Sequence, residues 1–362
     1  MSDVYFDKRT VLTLDAGGTN FVFNAIQAGK SMIESIKKPS NADNLKLCLQ
    51  SILEGFEEVK NQICEEPVAI SFAFPGPADY PNGIIGDLAN LPAFRGGIAL
   101  GPMLENHFNI PVFIQNDGDL YAYGEALGGM LPEINSELEK QGSSKRYKNV
   151  IGLTLGTGFG AGLVHNNVLI GGDNSIVAEV WNIGNIISPE RNAEEGVSTR
   201  AIINIYNELS GNKEALMPKD IFDIATDTKS GDNDAALKAF SVFGTHLGDA
   251  VANLINLFDG IVVIGGGLTG ASPLYMPAVI GVLKGAFGNG QARLVQNIYC
   301  LDDEAQKVEF YKNKNHQIKV PFSDKTISYS SEQKVAIATS KLDASEAIAL
   351  GAYAYALSIL DK

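Results

Sequence analysis

The sequence predicts an α/β protein built on a repeated strand–glycine turn–strand unit, and three observations carry that expectation. Short β-type runs flank a glycine-rich turn at residues 15–20 and again at 156–160. Nearly continuous apolar runs, such as Val68-Ala-Ile-Ser-Phe-Ala-Phe74 and Ile261-Val-Val-Ile264, stop at Pro- or Gly-rich turns, as strands buried on both faces do. Longer stretches between them place apolar residues at helical spacing.

In chain order, Val11-Leu-Thr-Leu14 and Phe21-Val-Phe23, with Ala25 and Ile26, read as a hairpin whose tip is Asp15-Ala-Gly-Gly-Thr-Asn20. A helix follows over 45–63, with Leu45, Leu49, Ile52, Phe56, Val59 and Ile63 on one face. The strand 68–74 is stopped by Pro75-Gly76-Pro77. Pro111-Val-Phe-Ile114 is another strand; it ends in Gln115-Asn-Asp-Gly118, and a helix follows over 119–127. The opening pattern then returns: Val150-Ile-Gly-Leu-Thr-Leu155, the turn Gly156-Thr-Gly-Phe-Gly160, and Ala161-Gly-Leu-Val164. This reads as a structural duplication. A helix is expected over 235–258, with Gly260 past its end, before strand 261–264 runs into Gly265-Gly-Gly267. Residues 291–333 are polar and irregular and read as an inserted β-rich flap. A helix over 344–360, containing Gly351, closes the chain.

A length of 362 residues suits two domains. The net charge of −14, with no basic block, argues against nucleic acid as a partner, because phosphate backbones select Lys/Arg-rich faces. Cys48, Cys64 and Cys300 form no C-x-x-C pair, which excludes a disulfide framework and fits a reducing cytoplasm. The first ten residues contain no apolar core of a signal peptide. The uncharged stretch 149–172 holds seven glycines, so it reads as strand–turn–strand and no membrane partner is expected.

Three motif matches fail on their context. Gly29-Lys30-Ser31 ends like a Walker A loop, but the required first glycine is Asn24. Gly265-Gly-Gly-Leu-Thr-Gly270 fits G-x-G-x-x-G, yet no Asp or Glu for a ribose occurs from Leu268 to Leu301, and Pro273 and Pro277 interrupt the next helix. The four histidines lack H-E-x-x-H spacing and no G-x-S-x-G elbow exists.

What remains is a set of glycine turns with hydroxyls and carboxylates at strand ends. In the first turn, Gly17 and Gly18 let successive N–H groups converge on an anion, with Thr19 adding a hydroxyl. Asp15 could hold Mg²⁺ through water, since that ion keeps most of its hydration. Gly156, Thr157 and Gly158 offer a second cradle. Gly265, Gly266 and Gly267 leave a floor without side chains for an adenine or ribose. Asn116-Asp117 lies at the carboxyl end of a strand, where α/β sheets present functional groups; an N-cap role is the alternative.

Together these turns resemble the ROK family (repressors, uncharacterised frames and kinases) of the sugar-kinase/actin/heat-shock ATPase superfamily. Leu14-Asp-Ala-Gly-Gly-Thr-Asn20 resembles its first phosphate motif, Leu155-Gly-Thr-Gly-Phe-Gly160 the second, and Gly265-Gly-Gly267 the adenosine motif. Phe74-Pro-Gly-Pro-Ala78, Asn90-Leu-Pro92, Asn116-Asp117 and Gly124-Glu125 follow the family's sugar-side order, and Ala347-Ile-Ala-Leu-Gly-Ala-Tyr353 its closing helix. Glu179 matches the sugar-binding glutamate, with Asn182 where relatives carry His. Residues 184–193 hold no Cys or His where many relatives have a zinc knuckle, so zinc is not expected. Glu194, with Ser198 four residues on, resembles a second sugar glutamate, and the adjacent Glu195 is the alternative.

The resemblance implies a two-lobed actin-like ATPase (ribonuclease H-like) fold, with duplicated mixed-sheet domains and a cleft between. Residues 1–118 with 344–362 would form one lobe and 119–343 the other, the latter including the flap. It implies ATP- and Mg²⁺-dependent phosphorylation of a hexose or N-acetylhexosamine, with Asp117 as catalytic base. Asn90, Asn116, Glu179, Asn182 and Glu194 would bind sugar. Asp15, Gly17, Gly18, Thr19, Asn20, Gly156, Thr157, Gly158 and Gly265–Gly267 would hold the nucleotide. Gly124 and Gly351 mark either a hinge or a close helix crossing. Many relatives are dimers, which leaves a homodimer open. The rival reading is a non-catalytic, sugar-binding regulator; only ten residues precede Val11, so no DNA-binding segment is expected there.

Overall fold

Alternating apolar residues fold strands Val11–Ala16 and Asn20–Gln27 into the expected antiparallel hairpin, with Leu14 opposite Phe23. Strand Ala69–Ala73 then pairs parallel to the first, Leu12 opposite Ile70, and Val112–Gln115 pairs parallel to it, Phe72 opposite Ile114. Strands Lys30–Ser31 and Ile36–Pro39 complete the sheet on the outer side of the hairpin. The computed structural model describes residues 4–88 and 91–362, so the expected sugar ligand Asn90 lies outside the described residues.

Successive strand residues point to opposite faces, and Phe72 and Ala73 enter different clusters accordingly. On the first face, helix Leu45–Gln62 packs Phe56 against Phe23 with ring centroids 5.1 Å apart and edge-to-face. Phe21, Phe72, Phe74 and Phe94 extend this aromatic core, all essentially inaccessible to water. Burial of each contributes roughly 1.5–3 kcal/mol. On the other face, helix Ala344–Leu360 packs on the strands and on helix Asp117–Leu127. The two helices meet backbone to backbone: a Cβ on Gly124 would lie 2.1 Å from the Ala347 carbonyl oxygen, and one on Gly351 1.8 Å from that of Leu120.

The second sheet repeats the plan. Val150–Leu155 lies between Phe159–His165 and Ile261–Gly265, and Ile261–Gly265 pairs parallel to both Val150–Leu155 and Lys334–Thr339. Helix Asn233–Phe258 lies against helix Ser272–Leu283, where Gly244 meets the Tyr275 carbonyl. Pro277 sits inside that last helix, which continues through it instead of breaking. The left-handed residue ending the Asn233–Phe258 helix is Asp259, not Gly260.

Two expectations about organisation change. The chain divides into Met1–Pro132, Gly162–Ala178 and Leu342–Lys362 as one unit, and Glu133–Ala161 with Glu179–Lys341 as the other. The first unit therefore extends past residue 118, because the Gly124/Gly351 crossing binds helix Asp117–Leu127 to the terminal helix and Gly162 lies against Gly118 and Ala122. The 291–333 segment is not one flap. Asn297–Cys300 is a strand of the second sheet, parallel to Lys334–Thr339, with Ile298 and Cys300 buried; Glu304–Tyr311 is a helix. Only His316–Lys319 and Thr326–Tyr329 form a separate hairpin. Among the described residues no helix is long and apolar enough to cross a membrane.

Candidate active site

In the first unit, Asp15 lies near the carboxyl end of the first strand and Asp117 follows Val112–Gln115, so both sit at the carboxyl edge of the sheet. Asn116 is the N-cap of helix Asp117–Leu127: its Oδ1 accepts from the Gly118 N–H at 2.8 Å. Asp117 is the first helical residue, and its Oδ1 shares the same donor at 2.9 Å. Asn116 thus satisfies the cap, which leaves the Asp117 carboxylate at a positive helix end without being the cap itself. Solvent reaches Asp117, but protein crowds it. Burial pushes its carboxyl above the usual carboxylate range, the Gly118 N–H pulls it back, and the neighbouring Asp15 charge adds a further push upward.

The first glycine turn is exposed at Gly17, Gly18 and Thr19. Ser40 ties down its acceptors, with Ser40 N–H donating to the Thr19 carbonyl at 3.0 Å and Ser40 Oγ to that of Gly18 at 2.6 Å. Asn20 opens the second strand, opposite Pro39. Ser345, at the start of the terminal helix, donates to Asp15 Oδ2 at 3.0 Å.

In the second unit two glycine turns adjoin because their strands are neighbours. Thr154 pairs with Gly265, and the Leu268 N–H donates to the Leu155 carbonyl at 3.2 Å. Gly266 has φ +94°, and a Cβ there would lie 2.4 Å from the Leu155 oxygen, so only glycine fits. Gly265 ends the strand and is buried, Gly266 is the buttress, and Gly267 alone presents open backbone. A Cβ on Gly156 or Gly267 would meet nothing within 4 Å. These bare surfaces fit a nucleotide.

Of the expected sugar residues, Glu179, Asn182 and Glu194 lie on one looped segment of the same unit. Glu179 precedes the short turn Val180–Asn182, and the Trp181 indole Nε1–H donates to its Oε2. Asn182 is exposed. A second turn, Ala193–Glu195, is drawn beside the first by the Gly184–Asn192 bridge and the Ala193 N–H to Ile183 carbonyl bond of 2.9 Å. Between them, buried Asn185 closes the loop. Its Oδ1 accepts from the N–H groups of Ile187 at 3.1 Å and Ser188 at 3.0 Å, while its Nδ2 donates to the Asn192 carbonyl at 3.3 Å. His246 Nδ1, from helix Asn233–Phe258, lies 3.2 Å from the same Oδ1, and Gly196 rests on its ring. Burial holds the His246 imidazole below its ordinary value, with Asp249 opposing, which favours the neutral ring.

Glu194 and Glu195 separate clearly. Glu194 Oε2 accepts the Phe159 N–H at 3.1 Å, so this carboxylate reaches the second glycine turn; Glu195 does not, and its Oε1 lies 3.3 Å from Arg200 Nη2. Arg200 also reaches Glu194 Oε1 at 3.2 Å. Ser40, Ser345, Asn185, His246 and Arg200 were not singled out from sequence. None belongs to a recognisable motif, and only folding gives each its partner.

Among the described residues no group of three or more His, Cys, Asp or Glu is placed to hold a metal ion. A water-mediated Mg²⁺ asks for less. Asp15 is exposed, Ser345 engages its Oδ2, and Asp117 adds a second negative charge nearby, an oxygen-only set that fits a hard, hydrated cation.

A family model described as "ROK family" matches residues 11–295. The crystal structure of glucokinase from Parabacteroides distasonis ATCC 8503 superposes with a TM-score of 0.93 at 48% identity, covering 99% of both chains. Glucokinase of Thermotoga maritima is 26% identical over 290 residues, 74% of this chain and 84% of that one. N-acetyl-D-glucosamine kinase of Vibrio cholerae is 26% identical over 276 residues, 72% of this chain and 85% of that one. The glycine turns, their order along the chain and these matches agree: the chain belongs to the ROK family and has the fold of the actin-like ATPases.

Proposed function

We propose that this sugar phosphotransferase moves the γ-phosphoryl group of ATP to the 6-hydroxyl of a hexose or N-acetylhexosamine, with Asp117 as general base. The observation that carries the reading is the Asp117 carboxylate at a helix start, its cap duty taken over by Asn116, beside the exposed first glycine turn and Asp15. The glucokinase and N-acetylglucosamine kinase relatives support the substrate class.

Phosphoryl transfer demands positioning and charge neutralisation more than covalent help. Asp117 accepts the proton of the attacking hydroxyl, and its raised carboxyl makes it a better proton acceptor than an ordinary aspartate. Asn90, Asn116, Glu179, Asn182 and Glu194 grip the remaining hydroxyls. Backbone N–H groups of Gly17, Gly18 and Gly158, with the bare Gly156 and the Thr19, Thr157 and Asn20 side chains, hold the phosphate chain, and the Gly265–Gly267 turn the adenosine. Mg²⁺ accompanying ATP would be held by Asp15 through water and supplies charge neutralisation at the phosphates.

Coupled ADP-release assays with glucose, N-acetylglucosamine, N-acetylmannosamine, mannose and fructose test the reading, with phosphorus NMR locating the new ester. Sugar-dependent ADP and a 6-phosphate are expected. Sugar binding without turnover would select the non-catalytic alternative.

A further inference from the structure

We propose that Glu194 gates the second glycine turn: without sugar its carboxylate occupies the place of a phosphate oxygen, and sugar hydroxyls draw it away. The inference rests on the proposed roles of Glu194 as a sugar ligand and of residues 156–160 as a phosphate cradle. It adds a dependence of nucleotide binding on sugar, written into one side chain.

The geometry is that of a plug. Glu194 Oε2 accepts the Phe159 N–H at 3.1 Å, and a Cβ on Gly158 would lie only 2.8 Å from the same oxygen. The carboxylate therefore lies over the Gly158–Phe159 peptide, on the backbone edge that an anion would use. The turn itself is braced elsewhere. Gly156 N–H donates to the Gly158 carbonyl at 3.1 Å, and Thr199 N–H, at the start of helix Thr199–Ser210, donates to the Gly156 carbonyl at 2.9 Å. Glu194 is thus not needed to close the turn, and its contact there calls for another explanation.

Its second oxygen is paired with Arg200 Nη2 at 3.2 Å, and Arg200 also reaches Glu195 at 3.3 Å. The one cation beside this turn among these contacts is therefore neutralised by carboxylates while the turn is plugged. A carboxylate and a phosphate in the same cradle repel, and at a few ångströms that repulsion is large even at an intermediate dielectric. Sugar hydroxyls offer the carboxylate replacement donors, so it can turn without losing its hydrogen bonds. The Phe159 N–H and the Arg200 guanidinium are then released to the phosphate chain. The consequence is that a triphosphate binds weakly and meets water rarely until an acceptor sugar is present.

The test measures binding of Mg²⁺ with a non-hydrolysable ATP analogue to the full chain by calorimetry, with and without the sugar most active in the ADP assay. For the wild type, sugar should tighten the analogue about tenfold, within the usual span of coupling between sites. Glu194→Gln keeps the shape and loses the charge. It should bind the analogue without sugar about tenfold more tightly than the wild type, and sugar should then add little. Sugar-independent ATP hydrolysis should rise in the same variant. If Glu194 merely buttressed the turn, the variant would bind the sugar-free analogue equally or more weakly, and that result overturns the proposal. A second measurement needs no variant: the Phe159 amide resonance of the wild type should move when sugar alone is added, and an unmoved resonance also overturns it. A kinase reading that failed would appear separately, as an absence of ADP with every sugar tested.

Discussion

Replacing Asp117 by Asn isolates the proposed base because it changes so little else. The amide retains an oxygen for the Gly118 N–H, now 2.9 Å away, and Asn116 still caps the helix. Only the proton acceptor and one negative charge disappear. A general base contributes roughly 10²–10⁴-fold, equal to about 2.7–5.4 kcal/mol of barrier at about 1.36 kcal/mol per decade. The expectation is therefore a kcat reduced by that factor, with the ATP KM within a few-fold of wild type, in a coupled ADP-release assay.

The pH profile supplies an independent check. Burial and Asp15 raise the Asp117 carboxyl above 3.8, so activity should fall as pH drops through that raised value. Asp15→Asn removes one of the upward pushes, so the acid limb of the surviving activity should move to lower pH. The stability sign is opposite to that of a salt-bridged aspartate. A raised folded-state value means the native state binds the extra proton, so stability is lost as pH rises through the window above 3.8. Asp117→Asn should accordingly melt no lower than wild type at neutral pH. A variant retaining kcat within tenfold would remove Asp117 from the base role.

Other outcomes follow from the same structure. Gly351→Ala forces a methyl to within 1.8 Å of the Leu120 oxygen, so it should destabilise by at least the ~1–3 kcal/mol of an overpacked core, read as a lowered melting temperature. Asn185→Ala leaves the Ile187 and Ser188 N–H groups without their acceptor and should raise the sugar KM while sparing the ATP KM; equal effects on both would refute a local role. Trp181 is the only tryptophan and is 40% exposed beside Glu179, so sugar alone should change the protein's indole fluorescence, and Trp181→Phe should abolish that signal. Chelation by EDTA should stop turnover and added Mg²⁺ restore it.

The parts of the fold that announce themselves in sequence are those with one dominant local cause. The hairpin, the parallel strands and the long helices each follow from periodic apolar residues and a terminating glycine or proline. Strand Asn297–Cys300 escaped because it contributes only a few residues, set in polar surroundings, to a sheet whose other strands are far away in sequence. The unit boundary escaped for a similar reason: helix Asp117–Leu127 is assigned by a backbone crossing with Gly351, a long-range contact that no window of sequence contains. The glycine motifs were legible because backbone exposure demands glycine. Their individual duties were not, since Gly265, Gly266 and Gly267 look alike until strand, buttress and open face are distinguished. Glu194 and Glu195 likewise differ only in direction, which the turn Ala193–Glu195 decides.

The adjoining of Thr154 with Gly265, and of Leu155 with Leu268, has a bearing on how this protein can be altered. The part of the proposed nucleotide surface formed by these two turns is made by main chain on neighbouring strands, so most side-chain replacements pass it by. The loop carrying Glu179 and Glu194 is held instead by single amide and imidazole groups, each open to exchange. Acceptor preference should therefore be the property that side-chain replacement in the laboratory changes more readily.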